Sequence, residues 1–160
     1  MRSGLGALVL STVAVACSHP APPAQPQVPA GPPPKVRLAV LPPQDKPFGK
    51  AAKAIGDAFA AAHVAGVDET KVWKSPIDVV QLQVECDDPT PDCYAAAGKE
   101  LKADRLLFAT IEAAPKKQVD VTVTLFDVAT KAVKQTAHQV YANEADAAAG
   151  AAALVTEATK

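Results

Sequence analysis

Apolar and polar residues alternate along this chain with two different periods. The segment Val119–Leu125 alternates valine or leucine with single polar residues, which is the pattern of a strand with one buried face and one polar face. Lys50–Ala65 repeats its apolar residues every three or four positions, which predicts a helix, and Gly66 is the expected helix stop. The two periods together predict a domain that contains both strands and helices.

The same patterns divide the rest of the chain after the first thirty or so residues. Further strands are predicted at Val36–Leu41, Lys71–Lys74, Arg105–Ala113 and Ala132–Tyr141, and further helices at Cys93–Lys102 and Glu144–Thr159. Asp92 and Asn143 are the expected N-caps of these two helices. The predicted fold is an α/β (α+β) domain in two or three layers, in which helices pack on a mixed sheet that ends in an antiparallel three-stranded meander.

Residues 76–85 carry two conflicting signals. Ser75–Asp78 matches a capping box with Pro76 at the first helical position, which indicates a helix. Val80–Cys86 alternates apolar and polar residues, which indicates a strand. We favour the helix because the capping signal is specific to a helix start.

The amino-terminal segment has the pattern of an export signal. Arg2 is followed by twelve mostly apolar residues, Leu5–Ala16, and small residues lead into Cys17. Twelve apolar residues are too few to span a bilayer, which takes about 20. A lipoprotein signal with a lipid such as palmitate on Cys17 is the favoured interpretation. An ordinary secretory signal cut near Ala16, or a short uncleaved anchor, is the alternative.

The segment after Cys17 is rich in proline. Eight of the sixteen residues from His19 to Pro34 are proline, which is the composition of a polyproline II spacer about 50 Å long. We therefore divide the chain into a signal peptide (1–16), a lipidated cysteine with a Pro-rich tether (17–34) and a single α/β domain (35–160).

Charge and cysteine content restrict the function further. Loss of Arg2 with the signal leaves 15 basic and 17 acidic residues, and this balance argues against a nucleic-acid partner. Lipidation of Cys17 leaves one pair of cysteines in an oxidising compartment, so a disulfide between Cys86 and Cys93 is expected, stapling the loop between them.

Known catalytic and metal-binding motifs are missing from the sequence. The chain lacks a nucleophile elbow, a zinc-protease motif and a phosphate loop, so no enzyme activity and no cofactor are expected. The loop carboxylates Asp87, Asp88 and Asp92 fall short of the six to eight oxygens that calcium takes. Cys86 and Cys93 lack two further zinc ligands at a familiar spacing. No metal site is therefore predicted.

Three short motifs carry a family resemblance. Leu38–Pro42 resembles the first strand of the amino-terminal domain of TolB and of related periplasmic lipoproteins, including the curli-secretion family. Leu101–Leu107 is similar to the start of their central strand, and Leu125–Lys131 is similar to their following hairpin. Pro43 stands where the family has an aromatic residue, and Lys131 stands where it has glycine. The resemblance implies a small bacterial envelope lipoprotein, and its motifs are structural rather than catalytic.

These observations predict a binding protein of the cell envelope. The expected function is that of a lipid-anchored adaptor domain for another envelope protein, held to the membrane through lipid at Cys17. Ser18 follows the cysteine, which by analogy favours the outer membrane, facing the periplasm. The alternative is a periplasmic domain that senses a small ligand or a cation with the acidic Cys86–Cys93 loop.

Overall fold

A five-stranded sheet with the strand order β2-β1-β3-β4-β5 organises the domain. The structure is a computed structural model that describes residues 34–86 and 88–160. Its strands are β1 (Arg37–Val40), β2 (Glu69–Val72), β3 (Arg105–Ala114), β4 (Gln118–Asp127) and β5 (Ala132–Tyr141). β1 runs parallel to β2 and β3, whereas β3, β4 and β5 form an antiparallel meander. The predicted mixed sheet with its carboxyl-terminal meander is confirmed.

In the described part of the chain, four α-helices pack on the two faces of this sheet. They are α1 (Gly49–Ala60), α2 (Ile77–Gln83), α3 (Pro91–Glu100) and α4 (Glu144–Ala158). Buried residues of α1 and α4 share one hydrophobic core, and those of α2 and α3 share a second core on the opposite face. The domain therefore has three layers, with the sheet in the middle.

The two-residue period of a strand assigns the residues of β3 to these two cores. Leu107 and Ala109 are buried with α1 and α4. Leu106 and Phe108 are buried with α2 and α3. Since successive side chains of a strand point to opposite faces, a central strand covered on both sides is apolar at every position, as β3 is from residue 106 to 109.

The first helix is shorter than its sequence pattern predicts. It ends at Ala60 rather than at Ala65, and Gly66 lies in the following turn with a φ of +68°. The chain turns there because β2 pairs with β1 from Glu69 onward, and glycine adopts a positive φ without steric cost.

The segment 76–85 contains the favoured helix, α2 (Ile77–Gln83), but its predicted capping box does not form. Pro76 is the N-cap of α2, and no side chain caps this helix. The alternation of apolar and polar residues at 80–86 does not form a strand. In the helix, Val80 is buried, whereas Leu82 points away from the core and is 67% exposed.

The N-cap of α3 is also displaced by two residues from its predicted position. Thr90, rather than Asp92, accepts a hydrogen bond from the Cys93 backbone N–H, at 3.3 Å. Pro91 has a φ suited to the first helical position, so the helix starts there and Asp92 lies within its first turn. The predicted cap at Asn143 is confirmed, since its side chain accepts from the Asp146 N–H at 3.0 Å.

Several predictions concern residues outside the described part of the chain. They are the signal peptide (1–16), the lipid at Cys17 and the Pro-rich tether up to Pro33. Within residues 34–86 and 88–160, no helix is long and apolar enough to cross a membrane.

Candidate functional site

The helices on one side of the sheet cover only part of its surface. α2 and α3 pack over β1 and the first half of β3. The Tyr94 ring of α3 lies against Phe108 and Phe126, at centroid distances of 4.9 and 5.4 Å. Burial in this position raises the pKa of the Tyr94 hydroxyl above its usual value. Tyr94 marks the limit of the helical cover on this side of the meander.

Beyond Tyr94, the same side of the meander is open to solvent. The strand period places Thr110 and Glu112 on the side of Phe108, and the cross-strand register places β4 and β5 residues beside them. We call this surface the open face. Its side chains are Thr110, Glu112, Asp120, Thr122, Thr124, Val133, Thr136, His138 and Val140.

The open face combines hydroxyl, charged and aliphatic groups on a flat surface. Glu112 lies directly across from Asp120, and the His138 Nε2 lies 2.8 Å from the Asp120 Oδ1. The aliphatic members are Val133, which is 54% exposed, and Val140, which is 37% exposed. A flat surface of mixed polarity is typical of protein-binding sites rather than of pockets for small substrates.

A cavity of about 380 Å³ adjoins the open face where β1 ends. Its lining includes Thr110 and Glu112 of the open face, Tyr94, and Asp78 at the start of α2. The Gln44 side-chain amide donates a hydrogen bond to the Asp78 carboxylate. The cavity therefore connects the open face with the carboxyl end of β1.

The predicted disulfide is present and lies at the far end of α2. Cys86 is bonded to Cys93, and their Cα atoms are 5.7 Å apart. The Cys93 side chain is buried in the first turn of α3, and the Gln81 amide donates to its Sγ at 3.3 Å. The bond thus joins the two helices that flank the cavity.

The acidic loop between the cysteines does not bring its described carboxylates together at a metal site. The Lys131 amine lies 2.6 Å from the Asp92 Oδ1, and this hydrogen bond and charge lower the pKa of Asp92. Asp87 lies outside the described residues. Among the remainder of the domain, no group of three or more His, Cys, Asp or Glu side chains could hold a metal ion.

Sequence reasoning identified only part of this region. The alternation in β4 predicted one polar strand face, which is the Asp120, Thr122 and Thr124 row. It did not predict that β3 and β5 would extend this row or that Tyr94 would border it. The same alternation at Thr136, His138 and Val140 in β5 was the available signal.

Comparisons with known proteins found some similar solved structures, all at low sequence identity. No protein-family model and no curated protein matches the chain. Similar solved structures include the LpoB C-terminal domain from Salmonella enterica, with 12% identity, a TM-score of 0.43, and coverage of 66% of this chain and 81% of that chain.

Two further similar structures come from other bacteria. The PelC dodecamer from Paraburkholderia phytofirmans has 15% identity and a TM-score of 0.38, covering 78% of this chain and 87% of that chain. Lipoprotein GNA1162 from Neisseria meningitidis has 19% identity and a TM-score of 0.37, covering 66% and 78%. Because these identities lie between 12% and 19%, a function for the present chain has to rest on its own residues.

Proposed function

We propose that this chain is a lipid-anchored protein of the bacterial cell envelope that binds another envelope protein through its open face and catalyses no reaction. The observation that carries the proposal is the open face itself. It exposes a continuous part of three strands on one side of the sheet, whereas α1 and α4 pack on the opposite side of these strands.

The dimensions of the elements explain why this face stays open. Each strand of the meander has ten residues and is therefore about 33 Å long. α3 has ten residues and α2 has seven, which gives lengths of about 15 and 10 Å. Two such short helices leave part of the sheet uncovered, and a partner protein is the natural cover for a flat surface that includes exposed valines.

The residues of the open face argue against catalysis. His138 and Asp120 form a pair that resembles part of a hydrolase triad, but both lie on a flat, partly exposed surface. Catalysis of acyl transfer needs a site that excludes water and aims hydrogen-bond donors at the developing charge. The two described cysteines are joined as a disulfide and offer no thiolate nucleophile.

Anchoring and location are supported by the sequence alone. Leu5–Ala16 and Cys17 form the lipoprotein signal, and Ser18 favours the outer membrane, facing the periplasm. Labelled palmitate should enter the wild-type chain and should not enter a Cys17→Ser variant. Equal labelling of both would contradict the anchoring part of the proposal, and residence in the inner membrane would contradict the placement.

A matched pair of substitutions tests the binding surface. Thr122→Arg places a long cation at the centre of the open face, whereas Thr70→Arg places the same side chain on exposed β2, outside the open face. We expect cross-linking in intact cells to give one specific adduct with the wild type and with Thr70→Arg, and to lose it with Thr122→Arg. Circular dichroism should show that both variants fold. The same adduct at equal yield from all three chains would contradict the proposal.

A further inference from the structure

Strand β1 ends long before its neighbour β3 does. The two strands pair only through Arg105, Leu106 and Leu107, whereas β3 continues to Ala114. The last hydrogen bond of this pairing runs from the Leu41 N–H to the Leu107 carbonyl, at 2.9 Å. β3 therefore continues for seven residues beyond Leu107, the last residue that pairs with β1.

The two-residue period of the backbone identifies which N–H and C=O groups of β3 point to the side where β1 has ended. Leu107 directs its carbonyl towards β1, so the backbone groups of Ala109 and Ile111 point in the same direction. The ladder to β4 uses the other edge of β3. Ala109 itself is only 3% exposed, so the accessible part of this edge is formed by Ile111 and Ala113, whose backbone groups point the same way. We call the space beside residues 111–113 on the β1 side the β3 notch.

Two prolines explain why β1 does not fill this notch itself. In a continued parallel ladder, residue 43 would donate its N–H to the Ala109 carbonyl, two positions after the Leu41–Leu107 bond. Residue 43 is proline and has no N–H, and Pro42 precedes it. Among the described residues, no hydrogen bond reaches the backbone of Ile111 or Ala113 from this side. An unpaired strand edge of this kind is a template for another extended segment.

The cavity of about 380 Å³ lies along this edge and is acidic. Asp78 and Glu112 line it together with Ala109 and Ile111, and no lysine, arginine or histidine of the described residues does so. Gln44 is a neutral hydrogen-bond donor to Asp78 and leaves its negative charge in place. A cationic group would therefore complement the notch.

We propose that the β3 notch binds an extended segment of the partner protein, which adds to β3 as a strand and places a lysine or arginine between Asp78 and Glu112. This inference rests on the proposed function and gives it a recognition element: backbone pairing for affinity and one basic side chain for specificity. The chain's own segment His19–Pro34 is unsuited to this place, because half of its residues are proline and it contains neither lysine nor arginine.

A short synthetic peptide provides the direct test. The probe is acetyl-Thr-Val-Lys-Val-Thr-amide, titrated into the isotopically labelled full chain in detergent and followed by NMR. We expect the amide signals of Ile111 and Ala113 to shift most, and a peptide with glutamate in place of lysine to bind at least about tenfold more weakly. Unchanged signals at these two residues, or equal affinity for the two peptides, would overturn the inference.

Substitutions separate the backbone contribution from the charge. Ile111→Pro removes one N–H that faces the notch and spares the β4 ladder, and we expect it to abolish peptide binding, whereas Ile111→Val should bind normally. Asp78→Asn combined with Glu112→Gln should remove the preference for lysine. An Ile111→Pro chain that is folded and still binds the peptide refutes strand addition.

The two proposals can fail independently. If Thr122→Arg loses the cellular adduct and no peptide binds at Ile111 and Ala113, the open face is retained and the notch is rejected. Peptide binding at the notch, with an unchanged adduct in Thr122→Arg, would reject the open face as the main contact and leave the notch in place.

Discussion

The Cys86–Cys93 disulfide closes a loop of about eight residues between the end of α2 and the first turn of α3. The loop-entropy relation gives a stabilisation of about 2.5 kcal/mol at 25 °C for a loop of this size. That amount is a large fraction of the roughly 5–15 kcal/mol by which a whole domain is stable. Reduction of this bond should therefore have a measurable effect on the free energy of unfolding.

The expected change in melting temperature follows from the size of the domain. Unfolding entropy is about 2.1 cal/mol/K per residue, so the unit Pro34–Lys160 has an entropy of roughly 0.27 kcal/mol/K. A loss of about 2.5 kcal/mol then lowers the Tm by about 9 °C. The domain should remain folded at low temperature because both hydrophobic cores persist without the bond.

The melting temperatures of three samples, measured by calorimetry, separate the effect of the cross-link from the effect of side-chain packing. The oxidised chain and the reduced wild-type chain carry the same side chains, so their difference measures the cross-link alone. A Cys86→Ala/Cys93→Ala variant also loses the buried Cys93 sulfur and its contact with Gln81, so it should melt below the reduced chain. A reduced chain that melts within about 2 °C of the oxidised one would refute the loop-entropy reasoning.

Two further predictions concern packing and pH. Gly98→Ala should lower the free energy of unfolding by about 1–2 kcal/mol, because the new methyl would overlap the Val128 Cγ2 and lie 3.1 Å from its Cγ1. Gly56→Ala, which meets nothing within 4 Å, should instead raise it by about 0.5–1 kcal/mol. If urea titrations gave the same change in the free energy of unfolding for both variants, this prediction would be contradicted. The Thr130 backbone N–H and hydroxyl hold the pKa of Asp127 below the usual 3.8, so this carboxylate stabilises the fold above that pH and ceases to do so as the pH falls through its lower folded value. Asp127→Asn should flatten the pH dependence of the Tm below about pH 4, and an unchanged acid melting profile would argue against this role.

The order and type of the elements follow from local sequence. Gln118–Asp127 alternates apolar and polar side chains, and a strand is the backbone that buries every second residue on one face. Lys131 lies in the turn between β4 and β5, and Asn143 caps α4, as their local patterns indicate. The disulfide was predictable from the number of cysteines, because an even pair remained once Cys17 was assigned to the lipid.

Caps and helix ends depended on more than local pattern. Ser75 and Asp92 have side chains suited to capping, but Pro76 and Thr90 occupy the N-cap positions. A cap needs an extended backbone immediately before the first helical residue, and the loop that precedes the helix decides which residue has it. The pairing of β2 with β1 similarly limits how far α1 can extend.

The open face and the β3 notch were decided by the tertiary structure. The residues of the open face come from three strands, and only the cross-strand register places Thr110 beside Thr122 and His138. The notch depends on where β1 stops relative to β3, which the parallel pairing at Leu107 sets and Pro43 enforces. The alternation of apolar and polar residues determines which face of each strand is polar, because this pattern repeats every two residues. The assembly of those faces into a surface, and the part that helices leave uncovered, depend on strand register and helix length across the whole domain.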